Sequence, residues 1–373
     1  RAKVEEISTR YGLAVDPDAR VGDLPVGVRQ RVEILKQLYR GLDILVFDEP
    51  TAVLTPQETS ALLATMRTLA EDGRTIVFIT HKLPEVLEAS DYVTVLRRGR
   101  IAANEQTKDV TADDLARLMV GRDLPPGLSK TPAEPGEIVL RLEDIIALDS
   151  RGLPALKGVS LGVRSGEIVT VAGVQGNGQT ELAEVISGLR PVISGEVHMC
   201  GKEITGSSSR QRRELGLCTI PEDRMKTGLA VEATTEENLI MGKHYKKPLS
   251  RWGRFDFRAV KAHVSGLVHD YDIRVPDGSV PAKNLSGGNL QKTVVAREFS
   301  QDARVYVVSQ PTRGVDIGST EFIHRRILQV RDEGAGVLLI STDLDEVFAL
   351  SDRILVVYDG EIAGAFRPGE ANR

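Results

Sequence analysis

Two adjacent carboxylates close an apolar run, where Ile44-Leu45-Val46-Phe47 leads into Asp48-Glu49-Pro50-Thr51. A strand ending in two acids suits phosphoryl transfer. Asp48 would hold Mg²⁺ through its shell, and Glu49 would orient or deprotonate the attacking water. Two solvated acids at a strand end are also common, and the motif alone leaves that reading open. His81 follows a second apolar run, Thr75 to Ile79. A lone histidine at a strand end is usually incidental, although this spacing also suits sensing a γ-phosphate.

A third run, Ile168 to Ala172, enters Gly173-Val174-Gln175-Gly176-Asn177-Gly178-Gln179-Thr180, and an amphipathic stretch follows with Leu182, Val185 and Ile186 on one face, ending near Gly188. Strand, glycine loop and helix stand in the order a P-loop requires. The glycines let backbone N–H groups converge on phosphates, and the helix N-terminus adds partial positive charge. Gly173, Gly176, Asn177, Gly178, Gln179 and Thr180 are therefore candidate phosphate contacts, and Thr180 is also a candidate Mg²⁺ ligand. Gln179 stands where a lysine is usual; its amide can donate a hydrogen bond but brings no charge. Alone, the loop fits a ligand-free tight turn equally well. Leu285-Ser286-Gly287-Gly288-Asn289 opens another helical pattern, presenting a hydroxyl and free N–H groups to an anion or simply capping the helix.

The elements that position these residues occur twice. Asp72 to Ala103 and Glu333 to Gly364 align without gaps at an offset of 261 residues, which also carries Leu24 to Leu285, Gln30 to Gln291, Pro50-Thr51 to Pro311-Thr312 and Gly99 to Gly360. Such a period is too long for a solenoid and indicates a duplicated domain. The proline-rich stretch Arg122 to Gly136 reads as a linker, giving residues 1–121 and 137–373 as the two copies. At the shared offset, Asp48, Glu49 and His81 become Ser309, Gln310 and Thr342, while Ser286 and Gly287 become Pro25 and Val26. The first copy lacks a counterpart of the glycine loop and the second stops early. The chain is therefore expected to be truncated at both ends.

Short β-rich runs alternate with helical patterns, so the expected class is α/β. Thr55-Pro56-Gln57-Glu58 predicts a capped helix start. With 48 Lys+Arg against 53 Asp+Glu in 373 residues, the net charge of −5 argues against a nucleic-acid footprint. No apolar run approaches the ~20 residues that cross a bilayer. Cys200 and Cys218 show no metal-ligand spacing, and two cysteines make no disulfide scaffold.

Together these residues resemble the ATP-binding cassette ATPases. LSGGNLQK matches the family signature, ILVFDEPT the Walker B strand and GVQGNGQT a modified Walker A motif. His81 falls at the switch histidine, and Thr51-Ala52-Val53-Leu54 and Thr312-Arg313-Gly314-Val315-Asp316 fall at the D-loops. The resemblance covers nearly the whole chain. It implies P-loop NTPase-type cassettes with helical subdomains, two in tandem with the first truncated, using ATP and Mg²⁺. Cassettes of this family pair head to tail, each ATP lying between the Walker motifs of one and the signature of the other. One shared site would join Asp48, Glu49 and His81 with Ser286, Gly287 and Gly288. The other would join Gln179, Ser309, Gln310 and Thr342 with Pro25 and Val26. The altered residues all fall in the same site, implying one hydrolytic and one degenerate site.

Three features resemble the simple-sugar and nucleoside importers: the short linker, LMVGRD after the first copy, and IPEDR within the other copy. LPVGVRQRVEILKQLYR and SQPTRG are more similar to the nucleoside branch. The implied partners are integral-membrane permease subunits and an extracytoplasmic solute-binding protein, with the chain peripheral on the cytoplasmic face and no nucleic acid bound. Pro221-Glu222-Asp223-Arg224 replaces the Q-loop, with Glu222 near the glutamine position. Arg224 to Asn284 would form the helical subdomain that meets the permease. Trp252, Phe255 and Phe257 either line that dock or, by the simpler reading, form subdomain core. Ile145 to Gly152 holds no aromatic residue to stack on adenine. Two rivals are a ribosome-bound tandem-cassette translation factor and a nucleotide-binding regulator without turnover. The short linker opposes the first, and Asp48, Glu49 and His81 oppose the second.

Overall fold

The computed structural model describes residues 1–373 except 22–23, 25, 52–53, 55, 98, 122–129 and 371–373. Pro25, Ala52, Val53, the Thr55 cap and the first part of the linker therefore lie outside the described residues, as does the side chain of Val26. The chain divides into two units, Arg1–Pro125 and Pro126–Arg373.

The first unit runs α1 (Ala2–Arg10), α2 (Val26–Tyr39), β1 (Ile44–Asp48), α3 (Pro56–Glu71), β2 (Thr75–Ile79), α4 (Leu83–Ala89), β3 (Tyr92–Arg97), β4 (Arg100–Gln106) and α5 (Ala112–Val120). β1 and β2 pair in parallel, and β3 and β4 form an antiparallel hairpin. Leu35, Leu38, Leu45, Leu62, Leu63, Met66 and Leu69 build the core where the helices cover one face of β1–β2. Alternation along a strand sends the neighbouring residues to the other face, and there Ile44 and Val46 are 65% and 66% exposed.

The second unit contains β5 (Ile138–Leu148), β6 (Pro154–Arg164), β7 (Ile168–Ala172), α6 (Gln179–Ser187), β8 (Ser194–Met199), β9 (Lys202–Glu203), α7 (Ser209–Glu214), β10 (Leu217–Ile220), α8 (Thr235–Ile240), β11 (Ser250–Arg251), β12 (Arg254–Phe255), α9 (Phe257–Asp270), α10 (Gly287–Phe299), β13 (Val305–Ser309), α11 (Ile317–Asp332), β14 (Gly336–Ser341), α12 (Leu344–Leu350), β15 (Arg353–Tyr358) and β16 (Glu361–Phe366). Its main sheet has the order β10-β13-β14-β7-β15-β16, parallel except for β16. β7 is buried on both faces, which explains its unbroken apolar run. Ile168, Tyr306, Val308, Val337 and Leu339 pack toward α8–α11. Val169, Val171, Val305, Val307 and Leu338 pack with α6 and a second, antiparallel sheet of order β6-β5-β8-β9.

The expected alternation of strands and helices is present, and residues 261 apart pair alike in the two units. Ile44 pairs with Thr75 in one unit, and Val305 pairs with Gly336 in the other. The register of the β3–β4 hairpin shifts between Val95 and Leu96, and that of β15–β16 between Val356 and Val357. The faces differ, however: Val305 and Val307, the counterparts of exposed Ile44 and Val46, are 0% exposed.

The later part of the predicted linker belongs to the second unit. Lys130 Nζ lies 2.7 Å from Asp352, and Gly136 N–H donates to Ser165 O at 2.9 Å. The helical segment after Arg224 includes a short hairpin, β11–β12, that helical periodicity does not indicate. The core reading of Trp252, Phe255 and Phe257 is overturned, because all three are exposed. The buried positions of that segment are taken by Leu239, Leu249, Val260, Val264 and Leu267.

Candidate nucleotide-binding site

In the first unit, β1 delivers Asp48 to its C-terminal end and the chain turns sharply at Glu49, whose φ is +44°. Glu49 N–H donates to Ile79 O at the end of β2 (2.8 Å), which fixes that turn against the neighbouring strand. Glu49 Oε1 is 2.9 Å from His81 Nδ1. A carboxylate and an imidazole in contact can divide the work of positioning a water and holding its proton. Asp48 is exposed, and no hydrogen bond or ion pair among the described residues occupies its carboxylate. Oxygen donors of this type fit Mg²⁺. Thr51 Oγ1 donates to Glu85 Oε1 at 2.5 Å, and Thr80 Oγ1 donates to Oε2 at 3.0 Å.

The second unit repeats this backbone with other side chains. Gln310 has φ +47°, and its N–H donates to Ile340 O at 2.8 Å. Thr342 Oγ1 donates to Gln310 Oε1 at 3.2 Å where the first unit has the Glu49–His81 contact. Thr312 Oγ1 donates to Glu346 Oε1 at 2.8 Å, matching Thr51 and Glu85. An amide and a hydroxyl have no basic group for water activation at neutral pH.

The glycine loop brings several of the predicted residues to this strand end. Gln179, Thr180, Glu222, Ser309, Gln310 and Thr342 line one cleft together with Gln175 and Ile340. Gly178 lies at φ +100°, and a Cβ there would meet Ala155 O at 2.6 Å, so the close approach to β6 requires glycine. Gly176 also has positive φ, whereas at Gly173 a Cβ would meet Val357 O at 2.5 Å. Asn177 bonds the loop to the β15–β16 turn by accepting from Asp359 N–H at 2.8 Å. α6 then starts at Gln179, directly behind the loop. Its C-terminal carbonyls, which lack partners in the helix, accept from buried Arg212: Nη1 donates to Val185 O at 2.6 Å and Ile186 O at 2.8 Å.

Gln179 does not project into the cleft as a phosphate donor. Its Nε2 donates to Val174 O at 2.8 Å, and its Oε1 accepts from Asn177 N–H at 3.0 Å. The side chain thus occupies a loop N–H that a bound phosphate would otherwise receive. Glu222 supplies the charge on this side. It accepts from Gln175 Nε2 at 2.8 Å and Thr180 Oγ1 at 3.2 Å, and it pairs with Arg313 at 2.5 Å. Sequence reasoning missed the part Gln175 and Arg313 take here, because neither residue type is fixed by a motif. Ser309 Oγ is buried without a hydrogen-bond partner and lines the same cleft. Thr180, Glu222 and Ser309 are hard oxygen donors that also fit Mg²⁺.

Ser286, Gly287, Gly288 and Asn289 do not line this cleft. Ser286 caps α10, accepting from Asn289 N–H at 3.5 Å and Asn289 Nδ2 at 3.0 Å. A Cβ on Gly287 would meet Arg224 Nη2 at 2.9 Å, and one on Gly288 would meet Asp316 Oδ2 at 3.1 Å. Arg224 in turn donates to the carbonyls of Arg313 and Gly314, at 2.7 and 3.3 Å.

A parallel sheet with a glycine loop opening a helix behind its strand ends defines a P-loop NTPase-type α/β fold. A family model described as ABC transporter matches residues 156–313. The nucleoside import ATP-binding protein NupA of Lactococcus lactis subsp. cremoris is 47% identical over 368 residues, covering 99% of this chain and 73% of that protein. The glucose import ATP-binding protein TsgD13 of Haloferax volcanii is 46% identical, covering 100% of this chain and 68% of that protein. A crystal structure of a nucleotide-free ATP-binding cassette from an ABC transporter superposes with a TM-score of 0.53 at 25% identity, covering 62% of this chain and 91% of the cassette. The chain belongs to the ABC transporter family. Among the described residues, no helix is long and apolar enough to cross a membrane.

Proposed function

We propose that this chain is the ATP-hydrolysing subunit of an importer, driving uptake of a nucleoside or a simple sugar through separate permease subunits. A solute-binding protein on the outer side would deliver the substrate, and the chain would sit on the cytoplasmic face. The names of the nucleoside- and glucose-import relatives support both substrate classes. The sequence details nearer the nucleoside branch favour nucleosides.

The observation that carries this reading is the Glu49–His81 contact set beside its hydroxyl-and-amide counterpart, Gln310–Thr342. Glu49 would position and deprotonate water, and His81 would hold the terminal phosphate. Asp48 would hold Mg²⁺, which neutralises phosphate charge when bound. The Ser286–Asn289 helix start would present N–H groups to the same nucleotide as the cassettes pair within the chain. Gln179, Ser309, Gln310 and Thr342 would belong to a second, non-hydrolytic nucleotide site.

The first unit supports the reading of a partial cassette. In the second unit β7 lies between β14 and β15, whereas their counterparts β2 and β3 stand in separate two-stranded sheets. A β7-like strand would join them, and counterparts of α6 and of the antiparallel sheet, which cover Val305 and Val307 in the second unit, would cover Ile44 and Val46. The reading is tested by reconstituting the subunit with its permease and binding protein in proteoliposomes and following labelled nucleosides and sugars. ATP-dependent uptake of either supports it. ATP turnover without uptake of any solute would sink it.

A further inference from the structure

The chain carries a net charge of −5, yet Lys246 to Lys261 reads KKPLSRWGRFDFRAVK, with six basic residues and one acid. Lys246, Lys247, Arg251, Arg254, Arg258 and Lys261 are all exposed. Among the described residues, none of the six side chains forms an ion pair with a carboxylate; Lys246 lies 5.9 Å from the Tyr245 ring centroid, and its charge is also felt at Glu214. The single acid, Asp256, is engaged as the cap of α9, accepting from the N–H groups of Arg258 and Ala259.

Three aromatic side chains stand among these cations. Trp252 is 90% exposed, Phe257 75% and Phe255 47%. The β11–β12 hairpin holds them on a fixed base, because Leu249 and Ser250 are buried and Asp256 N–H donates to Leu249 O at 2.9 Å. Trp252 occupies the turn with φ +55°, next to Gly253 at +76°. Positive φ at both central residues matches a type I′ turn, where a bulky side chain is rare. Keeping a tryptophan in that position, in water, has no packing explanation in this fold.

We propose that this hairpin is a membrane-surface anchor, its aromatic tip entering the headgroup layer and its Lys and Arg side chains binding anionic lipid. Tryptophan flanked by basic residues is the chemistry that settles at a membrane–water interface. Charge complementarity separates this occupant from a permease loop. Cytoplasmic loops of membrane proteins carry an excess of Lys and Arg, which this surface repels, whereas the cytoplasmic leaflet is negative. Each basic side chain near such a surface strengthens binding about fivefold. The inference goes beyond the importer reading but rests on it for the position at the cytoplasmic leaflet; the vesicle test below needs neither ATP nor permease, so it can fail or succeed independently of transport.

Trp252 is the only tryptophan in the chain, so it reports directly. The full chain is mixed with vesicles of zwitterionic phosphatidylcholine alone or doped with phosphatidylglycerol, and tryptophan emission and cosedimentation are followed. A blue shift and cosedimentation with the anionic vesicles only, both reversed by high salt, are expected. Arg251→Gln with Arg254→Gln should weaken binding roughly twenty- to thirtyfold, with the circular dichroism spectrum unchanged. An unmoved emission maximum with anionic vesicles, or equal shifts with both lipids, would overturn the proposal. A shift seen only when permease is present in the vesicles would overturn it too, and would assign the hairpin to a protein dock.

Discussion

The two strand ends, Asp48-Glu49 in the first unit and Ser309-Gln310 in the second, share a backbone and differ in chemistry. Both turn at positive φ, +44° and +47°, and both donate the turn N–H to the end of the neighbouring strand at 2.8 Å. The strained turn therefore does not depend on the carboxylate; it is kept where an amide has replaced it. The sheet sets the position of the side chain, and the side chain alone decides whether a base is present. On the proposed reading, hydrolysis belongs to the first unit and the second unit keeps only the frame.

The largest expected effect tests that assignment. Glu49→Gln gives the first strand end the amide found in the second, keeping the shape of the side chain and leaving Asp48 and His81 in place. ATP turnover by the assembled transporter should fall about a hundredfold to ten-thousandfold, the range for loss of a positioned general base. Nucleotide binding, followed by equilibrium filtration with labelled ATP, should persist. Turnover within a few-fold of the parent would show that Glu49 is not the base.

The next effect concerns the loop rather than the strand. Gln179 closes the loop on itself through Val174 O and Asn177 N–H. Gln179→Lys removes the acceptor from Asn177 N–H and adds a charge for phosphate. A hydrogen bond to a charged group contributes about 1.5–3 kcal/mol, so nucleotide binding at the second site should tighten about tenfold to a hundredfold. Hydrolysis should not rise, because Gln310 still provides no base. Unchanged affinity would mean that the self-closed loop is not what limits binding.

Legibility in the sequence differs from feature to feature. The strand ends and the strand–loop–helix order can be read because each rests on local patterns of type and spacing. The antiparallel β5–β6–β8 sheet cannot. Its pairing shifts register at several points, including Leu142/Ile145, which breaks the period of two that marks a half-buried strand. Residue type alone favours a core place for Trp252, Phe255 and Phe257. That reading fails because apolarity predicts burial only one way, and Leu249, Val260 and Val264 already fill the space. Gln179 reads as a phosphate donor from its place in the loop. Its rotamer depends on where Val174 O and Asn177 N–H lie, and residue types do not specify that.

A third, stability effect separates the units. Glu85 in the first unit is held by Thr51 and Thr80, one on each carboxylate oxygen. Its counterpart Glu346 lacks a partner on Oε2, and buried His324 Nε2 instead joins Thr312 at Oε1, 2.9 Å away. The first unit has Leu63 at the position of His324. His324→Leu should therefore cost roughly 1–3 kcal/mol, because it leaves a buried carboxylate short of a donor. Urea unfolding followed by far-ultraviolet circular dichroism measures this loss as a lowered midpoint. No shift of the midpoint would mean that the carboxylate is satisfied by other means.

The smallest expected effect is the most discriminating. Gln310→Ala deletes an amide whose only side-chain hydrogen bonds among the described residues are to Thr342, with Thr342 N–H at 3.4 Å and its hydroxyl at 3.2 Å. Alanine at φ +47° costs no more backbone strain than glutamine does there, and the lost hydrogen bonds are exposed, so water replaces them. If the second strand end is only frame, ATP turnover and uptake should stay within about twofold, well under the 1.4 kcal/mol that a tenfold change represents. A collapse of turnover comparable with that of Glu49→Gln would instead give Gln310 a place in the chemistry. The two strand ends would then be two halves of one catalytic requirement, and the single-site reading would fall.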